Sequence, residues 1–408
     1  MSDATTQVLT GLDEARRREL AELYRDLHAH PELSFAEHRT AAEVARRVRS
    51  YGYEVTESVG RTGVVAVLKR GPGPVVLLRA DLDALPLQER TGLPYASGAD
   101  GVMHACGHDM HTACLLGALR LLAEGRGQWS GTVLAVFQPA EELGCGARAM
   151  VEDRLFKRFG KPSVVLGQHV VPLPAGTVGC HPGPAFAAAD TLRVRLFGEG
   201  GHGWSPEAVI DPVVLAAATV LRLQTVVSRE VAAVDSAVLT VGALRAGGDQ
   251  AELEVDVRSH DARVRERMLA AVERIVRAEA AASGALRQPE IETTGSFPVL
   301  VNDPEATERT MTAIGTVLGT ERLVDPGPLT AAEDVGVFGS AAGAPVCYWV
   351  FGGADPEEYA RAEHTGTAAR AIPANHSPHF SPAVEPTLTT GVTALVAGAL
   401  AWLGPADG

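Results

Sequence analysis

Short apolar runs alternate with helix-forming segments through the first part of the chain, and no other feature constrains the fold as tightly. Val64–Leu68, Val75–Arg79, Val133–Phe137 and Val164–Leu166 read as strands. Leu20, Leu23, Tyr24 and Leu27 recur at helical spacing, Pro31 breaks the segment, and a second helix is predicted from about Ala36. Cys114–Leu122 reads as a helix of small residues. Strands that alternate with helices imply an α/β domain with a mostly parallel sheet. Near Ala187 the pattern changes. Thr191–Phe197 alternates apolar and polar, Asp211–Val227 reads as helix, and Ala237–Leu244 and Glu252–Arg258 alternate again. Val264–Ala281 is an amphipathic helix. Strand–helix–strand–strand–helix describes a small α+β sandwich. From about Phe297 the segments return to those that would complete the first domain. The expected organisation is a discontinuous domain, 1–187 and 298–408, carrying an insert at 188–297; a length of 408 residues suits two domains.

Composition narrows the function classes. Hydrophobic residues make up 46% and charged residues 21%, ordinary for a chain with a real core. A formal net charge of −14 argues against nucleic acid or an anionic membrane as partner. No uninterrupted apolar run reaches the roughly 18 residues of a membrane span, and the N-terminal stretch lacks an apolar signal core. The five cysteines are odd in number and scattered, which does not describe a disulfide framework. Cytoplasmic residence is the expectation.

Ligands of open parallel sheets bind beyond the carboxyl ends of the strands, and four polar clusters fall at or near such places. Arg79-Ala-Asp81-Leu-Asp83 follows one strand, Gln138-Pro-Ala-Glu141-Glu142 a second and Gln168-His169 a third, while His104-Ala-Cys106-Gly-His108-Asp109-Met-His111 lies just before a helix. Cys106 and His108 are two apart, a spacing that suits an extended segment entering a helix rather than one helix face. A thiolate with an imidazole suits zinc or another first-row metal, although a buried Cys beside an unrelated His is the plainer reading. Adjacent Glu141 and Glu142 can divide labour, one on metal and one taking a proton from water; an isolated pair of this kind is otherwise a solvated acidic surface. His376, in Asn375-His-Ser-Pro-His379-Phe, is a turn residue unless the cluster needs a closing ligand.

Taken together, RADLDALP, MHACGHDMH, FQPAEE, GQHVVP, GGHG and NHSPHF resemble the family of two-metal amidohydrolases and peptidases that includes aminoacylases, hippurate hydrolases and auxin-conjugate hydrolases. The likeness is to the subgroup with Cys where relatives place Asp, and it runs in order from about residue 20 to 385. It implies a zinc-exopeptidase-like catalytic domain with the insert as lid and dimerisation domain. It implies two divalent metal ions, zinc or manganese, with cobalt or nickel as options. By the same resemblance Cys106, His108, Glu142, His169 and His376 match the metal ligands, with Cys106 as the bridge. Glu141 matches the general base, and Asp83 the acid that orients a metal-site group. Asp81 stands where relatives have a metal-binding His. His202 matches a lid histidine that reaches substrate across a dimer interface, and Arg258 an arginine that helps bind a substrate carboxylate. His104, His111 and His379 are expected in structural roles. The implied activity is hydrolysis of the amide bond of an N-acyl amino acid or related small conjugate, by a homodimer joined through its lid.

Two departures stand out. After Val241-Gly-Ala-Leu-Arg-Ala-Gly-Gly248 the chain continues directly to Asp249-Gln-Ala-Glu-Leu, without the Asn-bearing segment usual in the family. Trp204, beside His202, is bulkier than the small residue expected and is a candidate to narrow or stack on the substrate pocket. Both suggest an altered substrate range, with conjugates lacking a free α-carboxylate favoured. A dipeptidase or carboxypeptidase on the same scaffold, and a non-catalytic binding protein retaining the fold, are the alternatives. A zinc oxidoreductase is disfavoured because no GxGxxG follows a strand.

Overall fold

The computed structural model describes residues 3–405 except Gly203. Two compact units emerge: Met1–Gly183 with Val301–Gly327 and Asp334–Gly408, and Pro184–Leu300 with Pro328–Glu333. Residues 328–333 join the second unit because Leu329 pairs with Ala185 and Ala187, its N–H donating to Ala185 O at 2.8 Å and its carbonyl accepting from Ala187 N at 3.1 Å.

After a short N-terminal helix (Asp3–Leu9), the first unit holds α1 (Glu14–Ala29) and α2 (His38–Ser50), then β1 (Glu54–Val59), β2 (Gly63–Arg70) and β3 (Val75–Asp81). It continues through α3 (His108–Glu124), β4 (Gly131–Gln138), β5 (Val164–Pro174) and β6 (Val178–Gly179). The second unit holds β7 (Ala188–Phe197), α4 (Pro212–Leu223), β8 (Ala237–Gly247), β9 (Gln250–Ser259), α5 (Ala262–Ala282) and β10 (Glu290–Phe297). The chain re-enters the first unit with α6 (Pro304–Leu318), β11 (Leu323–Val324), β12 (Val346–Ala354) and α7 (Val384–Trp402).

The first unit's sheet has the order β1-β2-β4-β3-β5-β12-β6-β11. Its centre, β4-β3-β5-β12, is parallel, and its β1-β2 flank is antiparallel. The flank has a local cause: the three residues between β1 and β2 permit a hairpin but no crossover. β4 and β12 are buried along nearly their whole length, as strands covered on both faces must be. Val76, Leu78 and Ala80 of β3 share one core with Leu116 and Leu119 of α3, Trp349 of β12, and Val392 and Leu395 of α7. Asp81 stands opposite Gln138 across β3–β4, so these two strands deliver their polar sequels to the same edge.

Helix α7 begins at Val384, ahead of the mostly apolar stretch 391–403. Buried Thr387, Thr390 and Thr393 interrupt its hydrophobicity, and the Thr390 hydroxyl is satisfied by Pro386 O at 2.8 Å. Among the described residues it is the one helix long and apolar enough to cross a membrane by length and composition; 67% of that stretch is buried within the protein.

The second unit is a four-stranded antiparallel sheet, β10-β7-β9-β8. Leu192, Val194 and Leu196 of β7 and Leu253, Val255 and Val257 of β9 form its core with Leu215 of α4 and Met268, Val272 and Ile275 of α5. Strand β10 escapes sequence reading because it is a half-exposed edge, Glu-Ile-Glu-Thr-Thr-Gly-Ser-Phe, with no apolar alternation. The shortened segment becomes a two-residue hairpin turn, Gly248-Asp249, with Gly248 at φ +65°. Val213, Val214 and Leu221 leave an exposed apolar strip on α4.

Candidate metal centre

The chain enters α3 through Gly107, whose φ is +88°. A Cβ there would stand 2.3 Å from Val170 Cγ1, so only glycine allows this turn so close to β5. The turn separates Cys106 from His108, the first residue of α3. After β4 the chain bends sharply with Ala140 at φ +48°, its N–H held by the buried Glu37 carboxylate at 2.9 Å. That bend aims Glu141 and Glu142 back toward His108. His376 sits at φ +67° on the other side, its N–H donating to Ala105 O at 2.8 Å. Two non-glycine residues in the left-handed region beside one cluster mark strain held at a site.

Two three-residue groups, each with ligand atoms within 4.8 Å of one another, share a single sulfur: Cys106 with His108 and His169, and Cys106 with Glu142 and His376. A third group joins His108 with Glu141 and Glu142. Cys106 Sγ lies 3.4 Å from His169 Nε2, and His376 Nε2 lies 3.4 Å from Glu142 Oε2. His108 Nε2 faces Asp81, Glu142 and Glu141 oxygens at 3.6, 3.8 and 3.9 Å. Those gaps exceed hydrogen-bond length, and neither His108 Nε2 nor Glu142 Oε1 has a hydrogen-bond partner among the described residues although both are buried. Buried polar atoms left this way call for a species that bridges them.

Asp83 organises the cluster. It accepts the Glu141 and Glu142 backbone N–H groups at 3.0 and 3.1 Å and the Ser34 hydroxyl at 2.6 Å, and it stands 3.3 Å from His108 Nδ1. The electrostatics are those of an anionic cradle. Burial opposes a charged His108, yet Asp81, Asp83 and Glu142 outweigh it and push the ring up to about 10. Burial first, then Glu142, Glu141 and Asp81, drives the Cys106 thiol well above its ordinary range. A thiolate is therefore stable here only if positive charge accompanies it. Burial and the neighbouring His111 keep His169 neutral, its Nδ1–H donating to Val170 O at 2.8 Å so that Nε2 turns its lone pair toward Cys106. Sulfur, neutral imidazole and carboxylate around unpartnered atoms form a donor set that fits divalent cations.

The other expected residues fall elsewhere. His202 and Trp204 belong to a loop of the second unit closed by the Glu199–Ile210 pair; their ring centroids lie 4.7 Å apart at a 32° tilt, and Trp204 is 81% exposed. Gly203, within that motif, lies outside the described residues. Arg258, also in the second unit, donates through Nε to Asp256 Oδ1 at 2.7 Å and through Nη1 to Thr330 O at 2.8 Å. His379 is exposed. His104 is buried with neither ring nitrogen partnered by a described residue, and burial holds it neutral, down to about 4.

Sequence reading left several supporting groups without a role. Arg79, fully buried, donates to Asp81 Oδ2 at 2.7 Å, Gln138 Oε1 at 2.9 Å and Asp334 Oδ1 at 3.2 Å. Asp334 also accepts from Gln138 Nε2 at 2.7 Å and Ala147 N at 3.0 Å. Asn375 ties the Cys106 and Val170 carbonyls together, each at 3.1 Å. Only the placement of Arg79 and Gln138 at strand ends hinted at this; nothing in the sequence pairs Asp334 with them.

Behind α3, His28 of α1 hydrogen-bonds Asp109 Oδ2 at 2.6 Å and Glu89 Oε1 at 3.3 Å. Burial works against its charge, but these two carboxylates prevail and raise it to about 10. Its folded value exceeds the unfolded value of about 6.5, so its stabilisation is complete below that pH and fades as pH climbs toward 10. We expect His28→Leu to cost about 3–5 kcal/mol near pH 6, because two buried carboxylates lose their partner. The gap to wild type should shrink by pH 10, as read by urea unfolding across pH. A gap that stays constant with pH would contradict the assignment.

The family profile of peptidase family M20/M25/M40 matches residues 77–375. The chain is 40% identical over 300 residues to an N-acetylcysteine deacetylase of Bacillus subtilis strain 168, covering 71% of this chain and 78% of that one. It is 38% identical over 329 residues to the hippurate hydrolase of Campylobacter jejuni, covering 78% and 85%. The solved structure of Bacillus subtilis YXEP protein, a dinuclear metal binding peptidase of the M20 family, superimposes with a TM-score of 0.73 at 31% identity, covering 95% of this chain and 98% of that one. With the ordered motifs and the shared-sulfur cradle, these matches place the chain in peptidase family M20/M25/M40, among metal-dependent amide hydrolases.

Proposed function

We propose that the protein hydrolyses the amide bond of a small N-acylated amino acid or related conjugate, using two divalent cations held by Cys106, His108, Glu142, His169 and His376. The observation that carries this reading is the pair of ligand groups meeting at one sulfur, with Glu141 beside them. Cys106 and the imidazoles favour zinc, and Glu142 leaves room for manganese. Cations bound there would supply a polarised carbonyl and a bound water acidified toward neutrality. Glu141 takes the proton of the attacking water and returns it to the leaving amine. Asp83 holds the Glu141-Glu142 peptides and His108 in register for that transfer. His202 is the donor we assign to the developing oxyanion.

The engagement of Arg258 by Asp256 and Thr330 supports a narrower reading, in which the preferred conjugate lacks a free α-carboxylate. One panel tests both. N-acetyl and N-benzoyl amino acids, their carboxamide counterparts and dipeptides are offered to metal-stripped and metal-reloaded protein. We expect hydrolysis only after reloading, with carboxamides turned over best. No amide hydrolysis by reloaded protein sinks the function, and a clear preference for hippurate-like acids sinks the narrower reading alone.

A further inference from the structure

The peptide of Val170, immediately after His169, is engaged on both sides. Its carbonyl accepts from His169 Nδ1 and Asn375 Nδ2 at 2.8 and 3.1 Å. Its N–H donates to His111 Nε2 at 2.8 Å. Because that nitrogen accepts, the ring proton of His111 resides on Nδ1, which donates to Asp81 Oδ1 at 2.6 Å. Asp81 Oδ2 in turn accepts from Arg79. His111 is buried, and its ring meets that of His169 edge-on at 4.6 Å.

Distance alone would let Asp81, His108 and His111 hold a cation. Hydrogen bonding argues otherwise. Both His111 nitrogens are committed, Nδ1–H to Asp81 and the Nε2 lone pair to Val170 N–H, so His111 has no lone pair left for a metal. We propose that His111 is a positioning residue for His169. It fixes the peptide that follows His169, while its ring walls one side of the His169 imidazole, so Nε2 is aimed before any cation arrives. Asp81 and the buried Arg79 anchor the strut from behind. The inference rests on the two-cation reading above and concerns one half of it. His169 belongs only to the group with Cys106 and His108; the group with Glu142 and His376 does not contain it.

A residue that merely filled the core would affect both cation positions together, through general loosening. A strut on His169 affects one. The test is a cobalt(II) titration of the metal-stripped full-length chain, following uptake by equilibrium dialysis and the thiolate-to-cobalt absorption band. Wild type is expected to take up two equivalents. His111→Phe, which keeps a ring but neither hydrogen bond, should bind one equivalent at near wild-type affinity and the other about 10–100-fold more weakly. The absorption band should persist, because Cys106 still serves the retained position. His111→Gln, whose amide can both donate to Asp81 and accept from Val170, should recover most of the lost affinity. If the Phe variant does not fold, His111→Asn, too short to span both partners, should show the same one-sided weakening. Two unaltered equivalents in the variants, or equal weakening of both, would overturn the assignment. Failure of wild type to bind two cobalt ions would instead bring down the two-cation reading, and this inference with it.

Discussion

Glu141→Gln should retain both cations yet turn over about 10²–10⁴ times more slowly, the usual worth of a positioned acid–base group. Glutamine keeps the shape of the side chain and leaves the backbone N–H of residue 141 on Asp83, so the bend after β4 is preserved. What it loses is the ability to hold a proton between water and leaving amine. Glu141 is not a member of either group that shares Cys106, so metal content measured on the purified variant should match wild type. The deficit should fall on kcat, with KM little changed, because a proton in flight matters only in the transition state. Near-normal kcat in a fully metallated variant would remove Glu141 from the reaction.

The second large effect concerns Cys106. Its sulfur belongs to both ligand groups, so Cys106→Ala should empty both positions rather than one, and activity should fall to background. Stability separates this from misfolding. A bound ion stabilises the folded chain in proportion to its affinity, so wild type should melt well above the variant when metal is present and close to it in excess chelator. Cys106→Asp should restore much of the binding, since a carboxylate can also bridge, and should shift preference from zinc toward manganese. Two equivalents of tightly held metal in the alanine variant would show that Cys106 is not shared.

How much of this was legible in the sequence follows from what kind of signal each part carries. Buried parallel strands announce themselves as apolar runs, so β3, β4 and β5 were readable. Edge strand β10 and the early turns of α7 were not, because half-exposed or threonine-bearing segments dilute the hydrophobic pattern. The five ligand candidates stand in ordered motifs, and the structure gathers them around one sulfur. The groups that hold them were not. Asp334 lies 255 residues from Arg79, and Asn375 acts through carbonyls, which leave no trace in side-chain identity. Asp81 illustrates the limit: residue type and position place it beside the candidate ligands, while only its hydrogen bonds reveal that it links Arg79 to His111.

The long detour of the chain before it reaches Asn375 and His376 carries a consequence for biosynthesis. Strand β5, which bears His169, has β12 as its neighbour on one side, and β12 is not made until residue 346. A polypeptide emerging from the ribosome thus possesses Cys106, His108, Glu142 and His169 long before the partner strand exists, and it lacks the last imidazole until residue 376. Any truncated product ending before that point lacks His376 and the Asn375 amide that ties the Cys106 and Val170 carbonyls. Complete translation, and not the mere presence of the motif, is what brings His376 into the group with Cys106 and Glu142.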